Sequence, residues 1–166
     1  MHTKSSISIA YLQDYPHYAA ICAQWSHTQW YLKRDIPFTL NIKAYEARCN
    51  KDSLPLTIIA LDNDLPVGMA TLKEDDLWHR KDLNPWLASL YVLPEFRNQG
   101  IGKNLINEIS LGAKRIGHSS LYLFLDHREK EILHEYYSQQ NWNFLEDDHD
   151  NDNNQTSIFK KDLRNI

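Results

Sequence analysis

Ile7, Ile9 and Tyr11 alternate with polar or small residues, the two-residue repeat of a half-buried strand. From Tyr15 to Lys33 the repeat lengthens. Tyr18, Ile21, Cys22, Trp25 and Trp30 fall at roughly helical spacings and predict a helix, which Pro37 interrupts before a second one from Asn41 to Cys49. Leu56–Leu61 reads as a strand opened by Pro55. The turn-forming stretch Asp62–Pro66 and the apolar run Val67–Leu72 complete a hairpin. Lys73 to Asn84 is polar and reads as a loop. Trp86 to Leu93 is apolar on both faces, as in a central strand.

The clearest helical stripe is Ile101, Leu105, Ile106, Ile109, Ala113 and Ile116, one face packed on a sheet, with Gly117 placed to cap its C-terminus. Leu121–Leu125 predicts another buried strand, 128–140 a helix, and Trp142–Leu145 with Ser157–Lys160 a terminal hairpin. The Asp-rich run Glu146 to Thr156 reads as its solvated tip. That run lacks the residue order of a calcium-binding loop, and no metal site is expected. The order is strand, two helices, three strands, helix, strand, helix, two strands, a mixed α/β sheet.

The 166 residues suit one domain spanning 1–166. Apolar residues make up 42% and charged residues 24%, ordinary values for a globular chain. A net charge of −4 argues against a nucleic-acid partner. Cys22 and Cys49 form no C-x-x-C pair and read as buried or semi-buried thiols in a reducing compartment. No signal-like or membrane-length apolar run occurs, so a cytoplasmic protein without a membrane partner is the expectation, as monomer or homodimer.

Chemistry concentrates in Leu90–Lys103. A strand ends near Val92 and a helix begins near Gly100, and the turn between them carries Arg97, Gly100 and Gly102. The first N–H groups of a helix lack internal partners and point out at its positive end. Glycines there admit an anion closely, and Arg97 and Lys103 add positive charge. The spacing fits neither a Walker loop nor a dinucleotide G-x-G-x-x-G.

Arg97-x-x-Gly100-x-Gly102, after Val92-x-Pro94-x-x-Arg97, resembles the R/Q-x-x-G-x-G/A motif of the GNAT superfamily of N-acetyltransferases. The resemblance implies a mostly antiparallel mixed sheet of about seven strands flanked by about four helices. It also implies acetyl-CoA as co-substrate, with no metal. Leu90, Tyr91 and Val92 would pair with the pantetheine arm, and Arg97, Asn98, Gln99, Gly100, Ile101, Gly102 and Lys103 would hold the pyrophosphate. The segment Leu133–Trp142 resembles the family stretch whose tyrosine protonates the leaving thiolate, here Tyr137. Asn141 stands where glycine is usual, and Lys130 where many members carry asparagine. A phenol near pKa 10 facing a thiol near 8.5 makes that proton donation uphill by about 2 kcal/mol before the environment acts.

The acceptor is expected to be a primary amine, on a small molecule or a peptide N-terminus. Glu74 and Asp75 are the expected proton acceptors, with Asp76 and His79 in the same loop. Trp30 and Tyr31 are the expected substrate-binding aromatics. The competing reading is a GNAT-fold module that binds CoA, as ligand or sensor, with little or no turnover.

Overall fold

Strands β1 (Ile7–Tyr11), β2 (Leu56–Asp62), β3 (Leu65–Lys73), β4 (Trp86–Val92), β5 (Ser120–Asp126), β6 (Trp142–His149) and β7 (Gln155–Asp162) form one sheet in the computed structural model, which describes residues 6–166. The strand order is β1-β2-β3-β4-β5-β7-β6. Every pairing is antiparallel except β4 with β5. The helices are α1 (Ala19–Ser26), α2 (Phe38–Glu46), α3 (Ile101–Ile116) and α4 (Lys130–Ser138). This is the sheet of seven strands with four helices that the sequence predicts.

The β2–β3 hairpin closes on two residues, Asn63 at φ 47° and Asp64 at φ 71°. Both are left-handed, the twist that a two-residue hairpin needs and that Asn and Asp tolerate. The α3 stripe, with Ile101, Leu105, Ile106, Ile109 and Ala113 buried, packs on one face of the sheet against Ile58, Leu72, Leu123 and Phe159. Gly117 ends the helix at φ 109°, and the His118 amide reaches back to the Ala113 carbonyl at 3.0 Å. On the other face, Cys22 and Ala23 of α1 and Tyr45 of α2 cover Ile59, Leu61 and Met69.

Three elements differ from the sequence reading. The first predicted helix is broken into 3-10 turns at Leu12–Asp14 and Pro16–Tyr18, then α1, then one π-helical stretch at His27–Tyr31. Pro16 starts a new turn because its ring fixes φ and removes an amide donor. Helix α2 begins directly after Pro37, three residues earlier than the apolar spacing suggested. The β6 and β7 strands are longer than predicted and leave only residues 150–154 between them. Glu146 to His149 are strand because their backbone pairs with β7, while the side chains of Glu146, Asp147 and His149 are exposed, as charged residues at a sheet edge are, and only Asp148 is partly covered, by Arg80 and His79. No helix among the described residues is long and apolar enough to cross a membrane.

Candidate active site

The sheet is nearly divided at its centre. Parallel β4 and β5 share one ladder pair, Trp86 with Tyr122, reinforced by the Tyr122 amide donating to the Pro85 carbonyl at 3.0 Å. Beyond that point the strands separate. The β4 backbone also leaves the β3 ladder: Thr71 faces Ala88 and Met69 faces Tyr91, so Ser89 and Leu90 together oppose Ala70. Ser89 takes a left-handed φ of 52°.

The gap opens into a cleft of about 590 Å³, within the usual size range of ligand pockets. Leu87–Leu90 and Leu123–Asp126 line its two walls. Glu129, Leu133 and Tyr137, on one side of α4 and the turn before it, close one end. Gln29, Trp30, Tyr31 and Arg34 approach from the α1–α2 connection, and Lys73, Asp76 and Asp150–Asp152 from the loops beyond β3 and β6. Arg34 is ion-paired with Asp152, and Asn151 donates to the Asp76 carbonyl at 2.8 Å, so three distant chain segments meet over the cleft.

Tyr137 is 6% exposed and lines the cleft. Burial, then the neighbouring Tyr136 and Glu129, push its phenol well above the ordinary value, so it holds its proton throughout the physiological range. Its ring packs against Trp142 and Phe159. Asn141, after the helix, takes a left-handed φ of 64°, the conformation expected of it in place of glycine. Lys130 points away from the cleft, over the Phe144 ring and toward Asp147. Glu129 faces the cleft instead, and partial burial with the charge of Asp126 raises its carboxyl pKa. Asp126 is held at about 2, chiefly by the Arg128 guanidinium.

Of the loop carboxylates, Asp76 lines the cleft, paired with the Lys73 ammonium at 2.8 Å, whereas Glu74 and Asp75 do not. Asp75 is turned to Lys81 in solvent. The sequence separates these three only weakly. The direction of each side chain depends on where the β3 strand ends, and the Lys73–Asp76 pair that draws Asp76 inward is a three-residue spacing without its own signature.

Strand β4 leads from the cleft into the glycine turn. Residues 97–103 do not line the cleft itself. Gly100 caps α3 at φ 80°, with no side-chain cap and no acidic residue in the first turn. Among the described residues the Ile101, Gly102 and Lys103 amides find no carbonyl acceptor, which leaves three donors open at the positive end of the helix. Arg97 folds back, its Nε donating to the Val92 carbonyl at 2.9 Å, and so braces the turn. Asn98 is left-handed at φ 60°, and Gln99 bonds the Glu95 carbonyl. A Cβ on Gly100 would meet nothing within 4 Å, whereas one on Gly102 would come within 3.0 Å of the Tyr136 hydroxyl. Gly102 is therefore the point of contact between α3 and α4. An anion seated on the three free amides would fit this geometry.

A mixed sheet parted between its parallel central strands, with an uncapped glycine-led helix at the exit of one of them, is the architecture of an acetyltransferase. The chain belongs to the acetyltransferase (GNAT) family, whose model matches residues 15–144. Its fold is similar to that of an aminoglycoside 6'-N-acetyltransferase complexed with coenzyme A, with a TM-score of 0.72 at 16% identity over 94% of this chain and 97% of the other. It is also similar to yncA of Salmonella typhimurium, solved with its cofactor acetyl-CoA, with a TM-score of 0.71 at 12% identity over 96% and 95%. A GNAT-family acetyltransferase from Staphylococcus aureus gives a TM-score of 0.65 at 17% identity over 96% and 100%. No curated protein matches the chain in sequence.

Proposed function

We propose that this acetyltransferase moves the acetyl group of acetyl-CoA to a primary amine, by direct attack within a ternary complex. The observation that carries the reading is the split between β4 and β5, whose inner edge on β4 has no ladder partner on β5 beyond Leu87 and leads to the open amides of α3. An extended amide-bearing arm can bond to that edge as a strand would. Leu90, Tyr91 and Val92 then hold the arm, and the Gly100–Lys103 amides, with the Lys103 ammonium, hold the pyrophosphate.

In this reading the amine enters on the α1–α2 side, between Trp30, Tyr31 and Asp76. Asp76 takes the place of Glu74 and Asp75 as the carboxylate that draws the ammonium in and accepts its proton, directly or through water. The amine lone pair attacks the thioester carbonyl carbon, and the C–S bond breaks as the tetrahedral adduct collapses. Tyr137 donates a hydrogen bond and then its proton to the departing sulfur, and a second proton, lost by the adduct nitrogen as it becomes the amide, restores it. Burial keeps Tyr137 protonated and available as a hydrogen-bond donor to the sulfur. It also makes full proton release more uphill than for an exposed phenol, so the hydrogen bond comes first and the proton moves only as charge builds on the departing sulfur. The acceptor class extends from small polyfunctional amines, as the similarity to an aminoglycoside acetyltransferase supports, to a peptide N-terminus.

The test pairs calorimetric binding of acetyl-CoA with turnover over a panel of amines, for wild type and Tyr137→Phe. The expected result is unchanged binding with kcat lowered about 10²-fold, the usual scale for removing one acid catalyst. Binding by wild type with no turnover of any amine would leave the CoA-holding module as the function.

A further inference from the structure

The two glycines of the α3 turn have different surroundings. A Cβ on Gly100 would meet nothing within 4 Å, but the space beside Gly102 is already taken by the Tyr136 hydroxyl, 3.0 Å from where that Cβ would lie. Glycine at 102 therefore admits a protein hydroxyl, where the spacing of the turn suggested room for an anion alone. Tyr136 and Tyr137 are consecutive on α4, so their side chains leave the helix about 100° apart. Tyr137 turns inward against Trp142 and Phe159. Tyr136 turns toward the start of α3 and stays 37% exposed, its ring edge-to-face with that of Tyr137 at 5.1 Å.

Packing one helix on another needs the ring of a tyrosine and not its oxygen. Here the oxygen is the part that reaches Gly102, a contact phenylalanine would not make. Among the described residues the hydroxyl has no hydrogen-bond partner. It stands on the first turn of α3, where the Ile101, Gly102 and Lys103 amides are also open and no acidic residue lies. A phenolic O–H rotates to donate to whatever acceptor is near. We propose that Tyr136 is a further pyrophosphate-binding residue, whose hydroxyl adds a donor from α4 to the three amides of α3. A hydrogen bond to an ionised oxygen is shorter and stronger than one between neutral groups. The anion then bridges the two helices, one of which carries Tyr137 at the cleft. The identity of the anion rests on the acetyl-transfer reading; the place of the hydroxyl beside the open amides does not.

The test compares wild type with Tyr136→Phe, which removes one oxygen and keeps the ring. Calorimetric titration with acetyl-CoA and with inorganic pyrophosphate is expected to show at least tenfold weaker binding by the variant, the scale of one hydrogen bond to a charged group. Binding of S-acetylpantetheine, which lacks the pyrophosphate, is expected to stay the same. Unchanged affinity for acetyl-CoA and pyrophosphate would overturn the proposal, and so would an equal loss for S-acetylpantetheine, which would mark a packing role only. Gly102→Ala checks the contact without ligand. Alanine is the better helix former, so this substitution should raise Tm in the Tyr136→Phe background, whereas the crowded hydroxyl should offset that gain in the wild type. Equal shifts in both backgrounds would refute the contact. A wild type that binds pyrophosphate but not acetyl-CoA would refute the function, while the pyrophosphate titration still decided the role of Tyr136.

Discussion

Gly100 and Gly117 cap the two ends of the same helix, both left-handed, and a Cβ on either meets no protein atom within 4 Å. They differ in what lies outside. Replacing either by alanine forces an L-residue into left-handed space at a cost of about 1–2 kcal/mol. For a chain of this size that lowers Tm by roughly 2–8 °C. The strain is present with and without ligand, so it cancels from the affinity. Any weakening of acetyl-CoA binding must then come from the new methyl group itself, or from displaced amides beside it. Gly100→Ala is expected to lower affinity at least tenfold, or about 1.4 kcal/mol, and Gly117→Ala to leave it unchanged. Thermal unfolding without ligand establishes that the two variants are comparably strained, and calorimetric titration measures affinity. Equal affinities in the two variants would refute the placement of the pyrophosphate on this helix end.

Asp76→Asn is expected to lower kcat/KM for the amine by about 10²-fold with acetyl-CoA binding intact, while Glu74→Gln and Asp75→Asn stay within twofold of wild type; a steady-state comparison of the three variants decides it. Asp148 offers a pH test. Partial burial raises its carboxyl, but the His149 amide, Arg80 and His79 outweigh that and hold it at about 2, below the ordinary 3.8. A lowered folded pKa contributes stability that is complete above about pH 4 and lost as pH falls through about 2. Asp148→Asn should therefore destabilise the protein near neutrality, by about 1 kcal/mol once solvent screening is allowed for, with the difference from wild type closing toward pH 2 in urea unfolding curves.

The strand and helix order, the α3 stripe and the glycine turn were legible in the sequence because each is a local pattern: a period, a breaker or a spacing. The same holds for Asn141, whose left-handed tolerance is a property of one residue. What was not legible depends on pairs far apart in the chain. That Asp76 lines the cleft and Glu74 and Asp75 do not follows from its partner Lys73 and from Asn151, which lies 75 positions away. Glu129 faces the cleft because Lys130 is drawn to Asp147 and Phe144 of β6, a competition between neighbours that no helical period reveals. The Ser89 bulge was hidden for another reason. Its strand is apolar on both faces, so a one-residue shift in alternation leaves no polar residue out of place.

The single ladder pair between β4 and β5 has a consequence for cohesion. Seven strands count as one sheet, yet its two leaves, β1 to β4 and β5 to β7, are hinged at Trp86 and Tyr122 and otherwise joined through the helices packed across them. An arm bonded along β4 inside the opening is then structurally a missing strand. In the proposed reading the co-substrate is part of what holds the leaves in register, and each catalytic cycle removes and replaces a structural member. A folded chain with ligand at a hundred times its dissociation constant gains about 2.7 kcal/mol. With the arm seated as proposed, that gain falls along one seam, and loading with acetyl-CoA is expected to stiffen the joint at which the proposed chemistry takes place.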